Sequence, residues 1–384
     1  MNSSNALEID HEPIYLLNVD SDPTKFRQRT RHHRWMNRDG DPDLASIIIP
    51  TFNRQSLLEE ALASVASQSY RPIEIIVVDD GSTDSTGAVV DRWRERLAGD
   101  GQASLRYFFQ PNAGVGAARN RGLIESHGQF IQFLDSDDLL NPRKLALQID
   151  CLKRNPEAGY AFSDFGGIDE LQNGAEISVA GARLIDSAEL YWRAGMLAMV
   201  GVVQRETCYR AGPWCEDLCL GVDEEYGLRS LLATQKVVYL PGSLCALRDH
   251  SGPRLIDGQN NAQGLELQLR AYRRMAECAV LRGCLSDPRL LAPLSQRITG
   301  VIVRSLQTGN ARVAAEAIRT CGELPVEMGR RIRLKLYQML SLMPPGMFLR
   351  FWWVWLKTRQ MVFEMPKHAM DKRRPRRKQQ IAHV

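Results

Sequence analysis

Between residues 46 and 153 the chain alternates four times between a short apolar run and a stretch of helical period, and this alternation leaves few folds open. The apolar runs are Ser46–Ile49, Ile73–Val78, Leu105–Phe109 and Phe130–Leu134, rich in β-branched and aromatic residues. Between the first two, Leu57, Leu58, Ala61, Leu62 and Val65 recur at helical spacing. Further helical stretches are expected over Ser85–Leu97, up to Ile124, and over Pro142–Lys153. Strands joined through helices by short links make a parallel sheet covered on both faces. The expected fold class is therefore α/β, a doubly wound, mostly parallel, Rossmann-like sheet.

Such sheets take ligands in the crevice outside the C-terminal ends of their strands. Three of the strand ends here carry polar clusters: Pro50-Thr51-Phe52-Asn53-Arg54, the run from Asp79 to Asp84, and Asp135-Ser136-Asp137-Asp138. The last places three carboxylates within four residues. Like charges that close repel, and a divalent cation such as Mg²⁺ or Mn²⁺ held by hard oxygen donors relieves them. A solvated acidic turn capping the next helix explains the same residues. Three polar ends on one sheet edge tip the balance toward a nucleotide and metal site.

Gly114-Val115-Gly116-Ala117-Ala118-Arg119 does not make a dinucleotide fingerprint, because the third glycine is missing and the segment follows the third strand. A GxxxxGK[ST] phosphate loop is also missing from the sequence. Gly114 and Gly116 let backbone approach a ligand, and Arg119 pairs with a phosphate or with an aspartate such as Asp137 or Asp80, the second being preferred.

Taken in order, the segments Ile47 to Arg54, Ile76 to Asp84, Asn112 to Asn120 and Phe133 to Asp138 resemble the family 2 glycosyltransferases of the GT-A fold. The resemblance is strong from Ala45 to Phe165 and continues more weakly to His250. It implies an inverting transferase using a nucleotide-diphosphate sugar, a UDP-sugar by preference, with Mn²⁺ or Mg²⁺ as cofactor. By that resemblance Pro50, Thr51, Asn53 and Asp80 line the nucleoside pocket, Asp80 accepting from a base N–H. Asp135 holds the ribose, Ser136 and Arg119 belong to the same nucleotide-sugar site, and Asp137 ligates the metal. Asp138 is a partner behind that ligand or a helix cap.

Relatives carry a Gly-Glu-Asp segment opening a helix, with an arginine six residues past the aspartate; here Gly221-Val222-Asp223 and Arg229 stand in that register, with Val222 in place of the glutamate. Asp223 is the expected general base on the acceptor hydroxyl; the competing reading is that Asp223, Glu224 and Glu225 favour a helix N-terminus. His250, in Arg248-Asp249-His250 where the family often has Arg-x-His, is by that resemblance a second metal-ligand candidate or a contact of the diphosphate, against a structural role. Trp214 either stacks on a sugar face or belongs to the core. Short strands are expected at Val237–Leu240 and Leu244–Leu247.

Four segments follow: a polar arm over residues 1–43, the GT-A domain over 44–255, a helical extension over 256–342 and an aromatic, basic tail over 343–384. The extension is read from helical runs at Leu265–Leu281, Ser295–Leu306 and Ala311–Cys321. In the tail, Phe348, Phe351, Trp352, Trp353 and Trp355 sit beside Arg350 and Lys357, ahead of a basic run from Lys367 to Lys378. That composition suits peripheral contact with an anionic membrane; a buried aromatic helix with a solvated tail is the alternative. A nucleic-acid role lacks a recognition fold. The eight cysteines include no CxxC pair and read as reduced structural thiols. Met1–Asp20 has no basic stretch followed by an apolar run, and no apolar run reaches the roughly 18 residues of a spanning helix. A cytoplasmic location, at the inner face of the membrane if the tail binds it, is expected.

The expected activity is sugar transfer to a hydroxyl of a glycan or lipid-linked acceptor in surface polysaccharide or glycoconjugate synthesis. A nucleotidyltransferase would need a glycine- and lysine-rich loop near the N-terminus, which this sequence lacks. A non-catalytic nucleotide-sugar-binding or scaffold protein is the rival from another class.

Overall fold

A computed structural model describes residues 36–168, 177–190, 200–248, 261–325 and residue 337. Strands β1 (Asp41–Thr51), β2 (Ile73–Asp79), β3 (Ala103–Phe109) and β4 (Gly128–Phe133) alternate with helices α1 (Gln55–Ala66), α2 (Thr86–Leu97) and α3 (Val115–Glu125). β1 pairs in parallel with β2 on one side and β4 on the other, and β2 pairs in parallel with β3. Ile47, Ile48, Ile49, Ile75, Ile76, Val77 and Val78 are buried on both faces, which is why these strands read as continuous apolar runs.

The sheet then turns mixed. After the two-residue β5 (Leu139–Leu140) and α4 (Lys144–Arg154) come β6 (Ala158–Gly166), β7 (Arg183–Asp186), β8 (Gly201–Gln204), α5 (Arg205–Ala211), α6 (Val222–Leu232) and β9 (Lys236–Ala246). The strand order is β3-β2-β1-β4-β8-β6-β9-β5, with β7 also on β9. β8 lies antiparallel between β4 and β6. The two short strands expected around Val237 and Leu244 are one strand, β9. Its register against β6 shifts between Ser163 and Phe165, opposite Gly242 at φ +116°, so one bend separates two apolar runs of the same strand.

β1 begins at Asp41, ahead of the expected start at residue 46. Residues just before it dock on the domain: Met36 is buried, Asn37 offers its carbonyl to Arg205, and Arg38 pairs with Glu206. Residues 1–35 and the tail beyond residue 337 lie outside the described residues.

Helices α7 (Ala262–Leu281), α8 (Pro288–Gln307) and α9 (Ala311–Glu323) form the extension, and each starts at an Asn or Asp whose side chain accepts from a first-turn N–H. Leu265, Leu269, Ile298, Val301, Val313 and Ala317 bury its apolar stripes. α7 reaches the sheet domain through Arg274, whose guanidinium takes both carboxylate oxygens of Asp217. Among the described residues no helix is long and apolar enough to cross a membrane.

Candidate active site

The topology reverses at β1, whose neighbours β2 and β4 are reached in opposite directions. Pairing of β1 with β4 ends at Ile48 and Phe133, while pairing with β2 runs on through Pro50 to Thr51 and Asp79. The parting strands open a crevice at their carboxyl ends, where an α/β sheet takes ligand. Pro50 sits in it without spoiling a ladder, since β4 has already turned away.

On the β2 side the loops are knitted together. Asn53, at φ +51°, donates its N–H to Ser82 Oγ at 2.8 Å and accepts from the N–H of Thr83 at 2.8 Å. The Asp80 carboxylate accepts from Gln110 Nε2 (2.8 Å), the Ala113 N–H (2.9 Å) and the Gly114 N–H (2.8 Å). Asp80 therefore builds the 110–114 loop, and a base N–H would meet only the acceptor capacity that Oδ2 keeps. Thr51 is buried and its Oγ1 has no hydrogen-bond partner, an orphaned polar atom facing this end of the sheet.

The acidic turn follows β4. One oxygen from each of Asp135, Asp137 and Asp138 falls within 4.8 Å of the others. Asp138 is buried; loss of solvent, then Asp135 and Asp137 beside it, push its carboxyl up to about 8. Desolvation also raises Asp135, against the opposing pull of Arg119. Arg248 grips the turn from β9's end: its Nε donates to the Asp137 carbonyl, an Nη to the Ser136 and Leu57 carbonyls, and its own N–H to Asp138. Ser136 is buried, and its carbonyl is held in this way. Arg54, at the start of α1, forms an ion pair with Asp137.

Arg119 projects from α3 into the same space. One Nη donates to Asp135 at 2.8 Å and the other to Asp223, in the first turn of α6, at 2.6 Å. Its aspartates are thus Asp135 and Asp223, where spacing along the chain suggested Asp137 or Asp80. The guanidinium is almost wholly buried and lies 4.3 Å over the ring of Trp214. Trp214 stacks on Tyr226 at 3.7 Å and meets Phe133 edge-on, so its faces are spent inside the protein and the core reading of this residue is the correct one.

The glycines of residues 114–116 also serve the protein rather than a ligand. Gly114 has φ +93°, and a Cβ on Gly116 would stand 2.5 Å from the Cys215 carbonyl. They seat the loop that carries Trp214 against α3, where Asn120 bonds both the N–H and the carbonyl of Trp214. Val222 is buried in the core, and Arg229 makes a bidentate buried pair with Glu225 on α6 (2.6 and 2.7 Å) while donating to the Ala211 carbonyl.

The expected residues Pro50, Thr51, Asn53, Asp80, Arg119, Asp135, Ser136, Asp137 and Asp223 lie along this one edge, and His250 lies outside the described residues. Sequence reasoning missed Arg54 and Arg248 as partners of the acidic turn. Arg54 was visible as the last residue of the first polar strand end; Arg248 was visible in Arg248-Asp249-His250, but nothing local aimed it at a turn 111 residues away.

The family model described as Glycosyl transferase family 2 matches residues 46–182. An uncharacterized glycosyltransferase of Haemophilus influenzae is 38% identical over 129 residues, covering 32% of this chain and 50% of the relative. The GalNAc(5)-diNAcBac-PP-undecaprenol beta-1,3-glucosyltransferase of Campylobacter jejuni is 40% identical over 118 residues, covering 30% of this chain and 35% of the relative. The chain thus spans half or less of the length of these curated relatives. Among solved structures, residues 1–349 of S. aureus TarS in complex with UDP-GlcNAc superpose with a TM-score of 0.51 at 18% identity, covering 73% of this chain and 90% of that one, a likeness of fold. Residues 46–182 thus carry the sequence match to glycosyl transferase family 2.

Proposed function

We propose that the chain is an inverting glycosyltransferase that moves a sugar from a nucleotide-diphosphate sugar, a UDP-sugar by preference, to a hydroxyl of a glycan or lipid-linked acceptor. The observation that carries this reading is the single guanidinium of Arg119 joining Asp135, beside the carboxylate cluster, to Asp223, at the mouth of α6. Donor-binding and proton-accepting carboxylates are thereby held side by side. TarS is described with UDP-GlcNAc, and the Campylobacter relative is named for a PP-undecaprenol acceptor, which supports a nucleotide-sugar donor and a lipid-linked or glycan acceptor here.

In this reading Pro50, Thr51, Asn53 and Asp80 receive the nucleoside, and Asp135 with Ser136 the ribose side. The donor set of Asp135, Asp137 and Asp138 is all hard oxygen, which fits Mg²⁺ or Mn²⁺. Asp137 would hold the ion, with His250 as a further ligand. Bound there, such an ion supplies charge stabilisation for the departing nucleoside diphosphate. The Asp223 carboxylate accepts the acceptor hydroxyl's proton as that oxygen bonds to the anomeric carbon from the face opposite the diphosphate. The bond from carbon to phosphate oxygen breaks and its electron pair leaves with the nucleotide. Arg119 orients Asp223 for this and keeps its charge balanced until the acceptor arrives. The tail beyond Pro344 adds contact with an anionic membrane face, and deletion of that tail should lower partitioning onto anionic vesicles.

A panel of UDP- and GDP-sugars incubated with Mn²⁺ tests the reading by donor hydrolysis and transfer. At least one donor should turn over, with Asp137→Ala and Asp223→Asn both losing activity. If no donor binds or turns over, the enzyme reading falls. Donor binding without turnover by any acceptor would favour a non-catalytic nucleotide-sugar-binding protein, the role left open by Val222.

A further inference from the structure

The ion pair between Arg54 and Asp137 occupies the carboxylate to which the proposed function assigns the cation. Both side chains are only about one-fifth exposed, at 22% and 20%, so the pair is sheltered yet reachable from the crevice. The two backbones that carry it are pinned. On one side the N–H groups of Asn53 and Gln55 donate to Ser82 and Asp84, and the Arg54 carbonyl starts α1 by accepting from Leu58. On the other, Arg248 holds the carbonyls of Ser136 and Asp137. Any exchange of partners at this point is therefore an exchange of side chains, and the flexible partner is the arginine.

Charge makes that exchange follow from cation binding. Asp135 has Arg119 as its counter-charge, and Asp138 accepts from the backbone N–H of Arg248. Asp137 has Arg54. A divalent cation entering the cluster competes with the guanidinium for the same oxygen and brings twice its charge. The displaced guanidinium stays tethered at the residue after Asn53, between the loops around Asp80 and the acidic turn. That is where a diphosphate must lie if its nucleoside end meets Asp80 and its charged end the carboxylate cluster. A planar guanidinium fork matches phosphate oxygens.

We propose that Arg54 is a hand-over cation: it neutralises Asp137 before the divalent ion arrives and then binds the diphosphate of the donor. This rests on the nucleotide-sugar and metal reading above, and it adds a prediction of opposite signs. Replacing Arg54 should tighten the binding of the metal alone and weaken the binding of the diphosphate.

The test is isothermal titration of the full chain, as wild type, Arg54→Met, Arg54→Lys and Asp137→Ala, with Mn²⁺ alone, with UDP or GDP at saturating Mn²⁺, and with uridine or guanosine. Equal melting temperatures confirm that the variants are folded. Arg54→Met is expected to bind Mn²⁺ roughly fivefold more tightly, the yield of removing an ion pair that solvent still reaches. It should bind the diphosphate about tenfold more weakly, as for the loss of a charge-assisted contact, and the nucleoside as before. Arg54→Lys keeps the charge and falls between. Unchanged metal and diphosphate affinities in Arg54→Met, with Asp137→Ala still losing Mn²⁺, would overturn the hand-over alone. Weaker Mn²⁺ binding in Arg54→Met would overturn it too. A wild-type chain that binds neither Mn²⁺ nor nucleotide removes the parent reading and the hand-over with it.

Discussion

Arg119 and Arg54 both meet aspartates of the turn at residues 135–137, and they meet them in different ways. Arg119 is 3% exposed, has two carboxylates, and lies on an indole ring. Arg54 is 22% exposed and its ion pair is with Asp137. A guanidinium buried among several partners is expensive to move, because every partner would be left with uncompensated charge. One at the mouth of a crevice can be exchanged for another cation at modest cost. In the proposed reading the first positions and the second changes hands.

The largest effect should come from the group that Arg119 positions. Asp223→Asn keeps the shape and removes the proposed proton acceptor, and transfer should fall by about 10²–10⁴ with donor affinity unchanged, measured as kcat against KM. Arg119→Met comes next. It should lower kcat by roughly 10², since Asp223 loses its orientation, and also cost about 1–3 kcal/mol of stability in urea unfolding through lost charged hydrogen bonds. A stability loss with unchanged kcat would show that Arg119 is merely structural. Arg54→Met should act on the diphosphate by about tenfold with little effect on unfolding; an unfolding cost equal to that of Arg119→Met would erase the contrast. Salt offers a smaller probe. Raising ionic strength to about 0.5 M should shrink the effect of Arg54→Met on Mn²⁺ binding and leave the Arg119→Met defect in place, because exposed charges are screened more.

A third cation sharpens the comparison from the opposite side. Lys144 is fully buried with amide oxygens as acceptors, Gln132 Oε1 at 2.8 Å and Gln148 Oε1 at 2.5 Å. Desolvation pushes its amine down from 10.5 to about 7. Between those values the unfolded chain holds the proton that the folded chain has lost, so this residue makes stability rise with pH over that window. The difference in urea stability between wild type and Lys144→Met should grow by at most about 1.4 kcal/mol per pH unit from pH 7 upward. A flat difference would mean that Lys144 stays charged in the fold.

Much of the fold was legible because its signals are local. Ile47, Ile48 and Ile49 must be buried wherever they lie, and the spacing of Leu58, Leu62 and Val65 already draws the inner face of α1. The second half was harder. β8 is short, and the opening run of β6, Ala158–Phe162, is apolar without alternation and ambiguous until a neighbour such as β9 pairs with it. At the site, the carboxylates announced themselves by mutual repulsion, whereas Arg248 and Trp214 gave no sign of their tasks. Trp214 is equally suited to a sugar face and a core, and only the rings of Tyr226 and Phe133 decide.

By itself the sequence determined the four alternating units, the polar ends of their strands and the acidic turn, since apolar period and like-charge crowding act over a few residues. Tertiary structure alone decided which charges meet. Arg119 and Asp223 are 104 positions apart and Arg54 and Asp137 are 83 apart. Nothing in local propensity selects one aspartate over another at that distance. The choice falls to the parting of β1 and β4 and to the loop seated on Gly116, which bring side chains within a few ångströms only after the sheet has formed.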